Sequence, residues 1–493
     1  MPKIQALPNN FNTLSEPIIT VSGLRGVVGE TLTPDVAMRY AAAFAAMAPP
    51  GAILIGRDGR PSGRMLAEAI RAGLQAVGRT TIDAGILATP TLGVMVRHCR
   101  AAGGIQITAS HNPSPYNGIK LFSAEGRVIP AGPGKQVLDQ YRTTAPGWQP
   151  HDRLGLSQFC EDTVIPHLLS VLDTVDVERI RERRFRVVLD SNHGAGGILG
   201  RRLLHELACR ITILGEEPDG QFEHTPEPTA ENLAGVLQAV TQCGAEIGFC
   251  QDPDADRLAV IDETGRYLGE EYTVALCVDH VLRQAGTGPF FGGKTSLAQK
   301  STSENMDLSP SAKIGTVPGI VTNCSSSRMS EDLALRYGVP FARSAVGEAN
   351  VVDAMLAHGA IFGGEGNGGP IDPRVGYVRD SFVGMALLLD AMAARDMKIS
   401  QLADELPRYE IVKTKIALPP ENLPAALDAL EKRFSDATCD RLDGLRLDWP
   451  GRWLLVRGSN TEPIVRAIAE APTADEAAQL CAEAATVLAA ISS

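Results

Sequence analysis

Apolar positions along the first third of the chain switch back and forth between two periods. Thr33-Pro34 pairs a capping hydroxyl with a proline at the first turn, a helix start. Val36, Tyr40, Ala43 and Met47 then recur at helical spacing. Ala52–Ile55 is an unbroken apolar run and predicts a buried strand, after which Ser62 is expected to cap a helix with Leu66, Ile70, Leu74 and Val77 on its apolar face. Thr81–Asp83 and Ile105–Ile107 predict further short strands. Strands alternating with helices predict a mostly parallel sheet with helices on its faces.

The pattern restarts twice. Phe185–Leu189 predicts a strand, Asn192–Gly197 a glycine-rich turn and Ile198–Cys209 a helix. Ile211–Leu214 predicts the next strand, Thr229 the opening of another helix, and Ala245–Cys250 a strand again. A third round has helices near Glu270–Gln284 and Asn350–His358 and a strand at Ala360–Phe362. Three similar α/β units in series predict a structural repeat without direct sequence repetition. The last part differs: Tyr409–Leu418, Leu445–Trp449 and Trp453–Arg457 read as antiparallel strands and Thr473–Ile491 as an amphipathic helix, a smaller α+β domain. Residues 292–318, rich in Ser, Lys, Gly and Thr, lack periodicity; the crowded Lys and Ser invite a phosphate-site reading, but a surface insertion is favoured because such a composition cannot bury a core.

Length and composition narrow this picture. A chain of 493 residues is too long for one core and suggests three to four domains. The net charge of -12 argues against nucleic acid as a partner, since that binding neutralises phosphates with clustered Lys and Arg. A small phosphorylated ligand remains compatible, because it needs only a few cations in a cleft. The nine cysteines are scattered without a CxxC pair and are expected as reduced core thiols rather than disulfides or zinc ligands. No stretch reaches the ~20 apolar residues of a membrane span, and the N-terminus has no hydrophobic signal core. The expected location is the cytoplasm.

Four segments carry candidate chemistry. Thr108-Ala109-Ser110-His111-Asn112-Pro113 puts a hydroxyl nucleophile beside a histidine just past a strand, with Lys120 ten residues beyond Ser110; alone it could equally be a capped turn. Asp252-Pro253-Asp254-Ala255-Asp256-Arg257 alternates three carboxylates at a strand end. Their mutual repulsion is relieved by a cation, and all-oxygen ligation suits Mg²⁺. A calcium EF-hand fails here, because Arg257 stands where that loop needs glycine. Arg257 is also well suited to a phosphoryl group. Gly363–Gly369 is dense in glycine, which lets a backbone approach a ligand, and Glu365 and Asn367 offer groups to sugar hydroxyls. Arg457-Gly458-Ser459-Asn460-Thr461-Glu462-Pro463, with Arg466 following, is a plausible cradle for a phosphate dianion.

Together, in this order, the four segments resemble the loops of one family, the α-D-phosphohexomutases, over nearly the whole chain. Ser22-Gly23-Leu24-Arg25-Gly26, Gly56–Gly63, Asp190–Gly197 and Val346-Gly347-Glu348 agree with it. The resemblance implies four domains around a central cleft, three similar α/β domains with mixed sheets and a smaller C-terminal α+β domain, with boundaries expected at 1–157, 158–265, 266–405 and 406–493. It implies that Ser110 carries a phosphoryl group and exchanges it with a hexose monophosphate through a bisphosphorylated sugar, which also serves as primer. One Mg²⁺ would be held by Ser110, Asp252, Asp254 and Asp256. Lys120 matches the family's acid–base lysine, Arg25 would act near the same phosphate, and His111 is a further proton-transfer candidate. Glu365, Gly366 and Asn367 would read the sugar, with Arg257 binding nearby. Arg457, Ser459, Asn460, Thr461 and Arg466 would hold the distal phosphate.

Two positions depart from many members. Gly369 stands where they have a histidine, and Asn323 stands where bacterial members have a lysine. The Gly-Glu-Gly-Asn-Gly-Gly loop is similar to archaeal-type members and points toward glucosamine phosphate, with glucose and mannose phosphates next. The other readings are a sugar bisphosphate synthase or phosphatase using the same serine, or a non-catalytic sugar-phosphate binder. The partners expected are hexose phosphates, with no nucleic acid and no membrane, and the chain is expected as a monomer or homodimer.

Overall fold

Thr33 caps the first long helix, Pro34–Met47, by accepting a hydrogen bond from the Val36 amide, with proline in the first turn. A computed structural model describes residues 17–20, 23–287, 319–458 and 464–492 and arranges the chain around four sheets. In spatial order the first contains Ile18–Thr20, Gly23–Val27, Tyr116–Phe122, Gly103–Ile107, Ile53–Arg57, Thr81–Ile86 and Ser157–Phe159. Ile53–Arg57 pairs in parallel with the strands on both sides. Tyr116–Phe122 returns antiparallel on Gly103–Ile107, and Gly23–Val27 lies antiparallel on it in turn. The sheet is therefore mixed, as the family resemblance implies, and less parallel than the strand–helix alternation alone suggests, because a short loop reverses the chain after Ile107.

The same plan occurs three times. In the second sheet Arg186–Asp190 is parallel to Arg210–Leu214 and Ile247–Gln251, and Leu258–Asp262 folds back antiparallel on the latter. In the third, Ile320–Asn323 is parallel to Phe341–Ser344 and Phe362–Glu365, and Gly369–Ile371 folds back. The expected repeat is thus one of topology. In each unit the loop between the third and fourth strands leaves the carboxyl end of a parallel strand, where open α/β sheets bind ligands. Those three loops are the ones carrying Ser110, the aspartates and Gly366–Gly368. The fourth sheet, Glu410–Ala417, Ile464–Ala471, Arg452–Gly458, Leu445–Trp449 and Thr438–Asp440, is antiparallel throughout. The helices Leu423–Arg433 and Ala474–Ser492 share its apolar core.

Several local expectations shift. Ser62 is not a cap: the helix Ser62–Ala76 has Pro61 before it in helical conformation, and Ser62 Oγ accepts instead from Asn117 Nδ2. The helix expected from Thr229 starts at Ala234, after a turn closed by the Leu233 amide on the Thr229 carbonyl. The strand expected at Ala360–Phe362 runs Phe362–Glu365, so three residues of the glycine-rich segment are strand. A Cβ on Gly363 would stand 2.5 Å from Met355 Sδ and 2.7 Å from the Val321 carbonyl, so glycine there serves close packing of a helix on the sheet. Only four of the nine cysteines are buried: Cys250, Cys277, Cys324 and Cys481. The segment 292–318 lies outside the described residues.

One helix had no clear signature. Ser381–Arg395 is buried all round from Ser381 to Met392 and joins the second and third sheets in one core. An all-apolar helix has no amphipathic period to read. Asp380 caps it by accepting from the Phe382 and Val383 amides, and its other oxygen accepts from His167 Nε2 at 2.7 Å. That shared core fixes the aspartate loop relative to the glycine-rich loop.

Candidate active site

Ser110 is buried and sits at φ 50°, a left-handed conformation that a non-glycine residue adopts only when its surroundings impose it. The surroundings are polar and specific. Thr108 Oγ accepts from the Ser110 amide at 2.9 Å and donates to Asp58 Oδ2 at 2.6 Å. Arg60, fully buried, donates to the carbonyls of Ser110 (2.7 Å), Asn112 (2.6 Å), Pro113 (3.0 Å) and Tyr116 (3.1 Å), and its Nε donates to Asp58. One guanidinium therefore pins the whole loop. Arg25 Nη1 donates to Asn112 Oδ1 at 3.2 Å.

The aspartate loop meets this serine. Ala255, at φ 54°, turns the chain so that Asp252, Asp254 and Asp256 converge with one oxygen each within 4.8 Å of the others, all three buried. Ser110 Oγ donates to Asp252 Oδ2 at 2.8 Å and lies 3.3 Å from His111 Nδ1. Lys120 Nζ donates to Asp254 Oδ2 at 2.6 Å and Asp256 Oδ2 at 2.7 Å. Thr89 Oγ donates to Asp254 Oδ2 at 2.6 Å, tying the first domain to this loop.

The electrostatics follow from burial and proximity. Burial and the neighbouring Asp254 and Asp256 carry the Asp252 carboxyl well above the usual carboxylate range. Burial opposes the charge on Asp254, but the Lys120 ammonium and the hydrogen bonds from Lys120 and Thr89 together outweigh it and hold that carboxyl low. Burial likewise opposes the Lys120 ammonium, and the two aspartates overcome it, so Lys120 keeps its proton more tightly than usual. Burial, then Arg257 and Arg25, depress His111 to about 2, which leaves it neutral in the physiological range. Asp254 Oδ1 and Asp256 Oδ1 are buried without a hydrogen-bond partner among the described residues. Two orphaned carboxylate oxygens beside a third carboxylate fit a hard divalent cation, and the group is able to hold a metal ion.

The glycine-rich loop abuts the aspartate loop. The Leu258 amide donates to the Gly368 carbonyl at 2.8 Å; Gly368 has φ 80°, and a Cβ there would stand 2.4 Å from the Leu258 carbonyl. Glu365, expected to face the sugar, is buried and already engaged. Its Oε1 accepts from Asn323 Nδ2 (2.7 Å) and the Gly347 amide (3.0 Å), and its Oε2 accepts from Arg379 Nη1 (2.9 Å). Gly366 donates through its amide to Ser326 Oγ, while Asn367 Oδ1 is shielded from solvent without a partner among the described residues. Glu271 packs on Gly366 and accepts from the Ser327 amide, and burial pushes its carboxyl up to about 8. Asn323 Oδ1 gathers the Ser325 amide and the Ser325 and Ser326 hydroxyls, so it organises the third-domain loop.

In the fourth domain Arg457 lies directly opposite Arg466, and Arg466 directly opposite Lys415. Like charges in register across neighbouring strands repel, and a bound anion removes that penalty. Arg457 is steadied by Asp443 at 3.0 Å. Ser459, Asn460 and Thr461 lie outside the described residues. Ser110, His111, Lys120, Arg25, the three aspartates and Arg257 are thus brought together, with Glu365–Asn367 adjoining them. Thr89, Arg379 and Lys415 were not singled out from sequence, and Asp58, Arg60 and Thr108 stood in segments that were, without a role of their own. The Asp58-Gly59-Arg60 run after a strand was the one available signal, and it gave no hint of which carbonyls Arg60 would reach.

Three α/β units of one topology with their corresponding loops converging, and an antiparallel fourth domain, are the architecture of a phosphohexomutase. Phosphoglucomutase/phosphomannomutase family models match residues 17–146 (alpha/beta/alpha domain I), 165–265 (domain II), 297–409 (domain III) and 415–487 (C-terminal domain). A phosphoglucomutase/phosphomannomutase of Thermococcus kodakarensis is 34% identical, aligned over 92% of this chain and 94% of its own. A phosphoglucosamine/phosphogalactosamine mutase of Sulfurisphaera tokodaii is 30% identical over 91% and 94%. The crystal structure of a phosphoglucomutase/phosphomannomutase family protein from Burkholderia thailandensis superposes with a TM-score of 0.78 at 25% identity, covering 96% of this chain and 98% of that one. The chain belongs to the phosphoglucomutase/phosphomannomutase family.

Proposed function

We propose that this protein interconverts hexose 1-phosphates and hexose 6-phosphates, with Ser110 as the phosphoryl carrier. The observation that carries the reading is Ser110 Oγ bonded to Asp252 inside a buried three-carboxylate group, on a loop held in a left-handed turn. Phosphoryl transfer depends on positioning and charge neutralisation, which is what this arrangement supplies. Asp252, Asp254 and Asp256, with the phosphorylated Ser110, would hold one Mg²⁺, which supplies charge neutralisation at the phosphoryl oxygens.

The chain's own groups divide the remaining work. Lys120, protonated between two aspartates, gives a proton to Ser110 Oγ as its bond to the phosphoryl group breaks and takes it back from that hydroxyl when the group returns. The attacking sugar hydroxyl loses its proton to solvent. His111 stays neutral and orients Ser110 Oγ. Arg25 and Arg257 face the transferred phosphoryl group. Glu365, Gly366 and Asn367 form the sugar side, and Asn367 Oδ1 is the free acceptor for a hydroxyl. Arg457, Ser459, Asn460, Thr461 and Arg466 grip the distal phosphate while the bisphosphorylated intermediate, also the primer, reorients. Domain limits of 1–157, 158–265, 266–405 and 406–493 put one loop in each domain.

Glucosamine phosphate is the favoured sugar on the loop type, with glucose and mannose phosphates next. A cytoplasmic monomer or homodimer is the accompanying expectation; no helix among the described residues is long and apolar enough to cross a membrane. The test is to supply Mg²⁺, each hexose 1-phosphate and a trace of glucose 1,6-bisphosphate, and to follow 6-phosphate formation. Ser110→Ala should lower the rate at least a thousandfold, and full activity in that variant would remove Ser110 from its role.

A further inference from the structure

We propose that Arg379 is a positioning residue that couples the metal loop to the sugar loop, and that residue 369 is glycine to make room for it. This rests on the phosphohexomutase reading for what the two loops do.

Arg379 Nη2 donates to Asp256 Oδ2 at 2.7 Å, and Nη1 donates to Glu365 Oε2 at 2.9 Å. Its Nε lies 3.4 Å from Glu348 Oε2, and its amide donates to Glu348 Oε1 at 2.9 Å. The residue is only 7% exposed. A buried guanidinium is tolerated when paired, and here Asp256 and Glu365 hydrogen-bond it while Glu348 adds a third opposite charge, Nε itself making no hydrogen bond among the described residues. Arg379 is anchored in turn, because Asp380 beside it caps the buried helix Ser381–Arg395.

The stem of Arg379 crosses the face of Gly369. A Cβ at 369 would stand 2.4 Å from Arg379 Cδ, 2.8 Å from Cγ and 3.0 Å from Cβ. Any larger residue at 369 must displace the arginine, so glycine there is a steric condition for the bridge. The guanidinium cannot exchange its proton in a protein. It therefore substitutes for no acid or base at this position and acts by holding two carboxylates. The two held oxygens are Asp256 Oδ2, shared with Lys120, and Glu365 Oε2, which leaves Asp256 Oδ1 without a hydrogen-bond partner among the described residues, with Arg257 Nε 3.9 Å away. A planar fork spans two carboxylates at once, whereas an ammonium on a flexible stem behaves as a point charge.

The experiment measures Mg²⁺ affinity of the unphosphorylated protein by calorimetry and, separately, KM and kcat for the sugar phosphate. Arg379→Lys keeps the charge, and Gly369→Ala keeps every charged group and acts only through space. Each is expected to weaken Mg²⁺ binding and raise KM at least tenfold, and the double variant should be no worse than Arg379→Lys alone. Either single variant within twofold of wild type on both readouts, or effects that multiply in the double variant, would overturn the proposal. Urea midpoints check folding; should Arg379→Lys not fold, the Gly369→Ala result decides alone. Calorimetry needs no turnover, so a wild type without mutase activity would defeat the proposed function while the Mg²⁺ measurements still judge Arg379.

Discussion

Replacing Arg60 with lysine should loosen the Ser110 loop without removing charge. Arg60 satisfies four carbonyls between Ser110 and Tyr116 as well as Asp58, from a site that is only 1% exposed. Lysine has one nitrogen with three donors, so with Asp58 still to be served at least two carbonyls lose their partner. Hydrogen bonds to a charged group contribute roughly 1.5–3 kcal/mol each. The loop has somewhere to go, because Ser110 at φ 50° stores on the order of 1–3 kcal/mol of backbone strain. A net loss of about 3 kcal/mol in holding Ser110 corresponds to roughly a hundredfold in rate. The assay is single-turnover transfer from glucose 1,6-bisphosphate to Ser110, with hydrogen exchange of the amides in 108–112 as the structural readout. Exchange should accelerate alongside the drop in rate. Wild-type rate and wild-type protection in Arg60→Lys would refute the reasoning.

Two more outcomes are expected. Asp254→Ala should shift the Mg²⁺ titration of activity upward at least tenfold, since it removes one carboxylate of the group and a partner of Lys120 and Thr89; an unchanged titration would refute the ligand assignment. Glu271→Gln should raise the urea midpoint at alkaline pH. Burial lifts the Glu271 carboxyl from 4.5 to about 8, so the folded state keeps a proton that the unfolded chain releases. Its contribution is fully present below about 4.5 and is lost as pH rises toward about 8. The variant's advantage should therefore appear at pH 8.5 and fade at pH 5, and a difference independent of pH would contradict the burial argument.

The loops were legible because their chemistry is local. Ser110 beside His111, alone no more than a turn, gains its meaning from the three alternating aspartates, the glycine-rich run and the paired arginines that follow it in order. Strands were legible where apolar runs were short and bounded, as at Ala52–Ile55 and Ala245–Cys250, and their edges drifted by a residue or two. The helix Ser381–Arg395 escaped because burial on all sides erases the period that marks a surface helix. Tyr116–Phe122, which carries Lys120, escaped because Asn117, bonded to Ser62, and Lys120, bonded to the aspartates, put polar groups on both faces and break the alternation of a strand.

What the sequence determined by itself was the inventory: a nucleophile, a carboxylate group, a glycine-rich loop and a basic loop, in an order that marks the family. Only the tertiary structure decided how these groups spend their bonds. Arg379 reads along the chain as an ordinary arginine, and Arg60 only as part of a short run that agrees with the family, with no sign of what it bonds. Their partners lie far away in sequence, with 123 positions between Arg379 and Asp256 and 50 between Arg60 and Ser110. Glu365 read only as a sugar contact, and the fold also engages both its oxygens with Arg379, Asn323 and Gly347. The reason is physical. A buried charge is defined by the partners that neutralise it, and those are chosen by packing between domains, which no local pattern encodes.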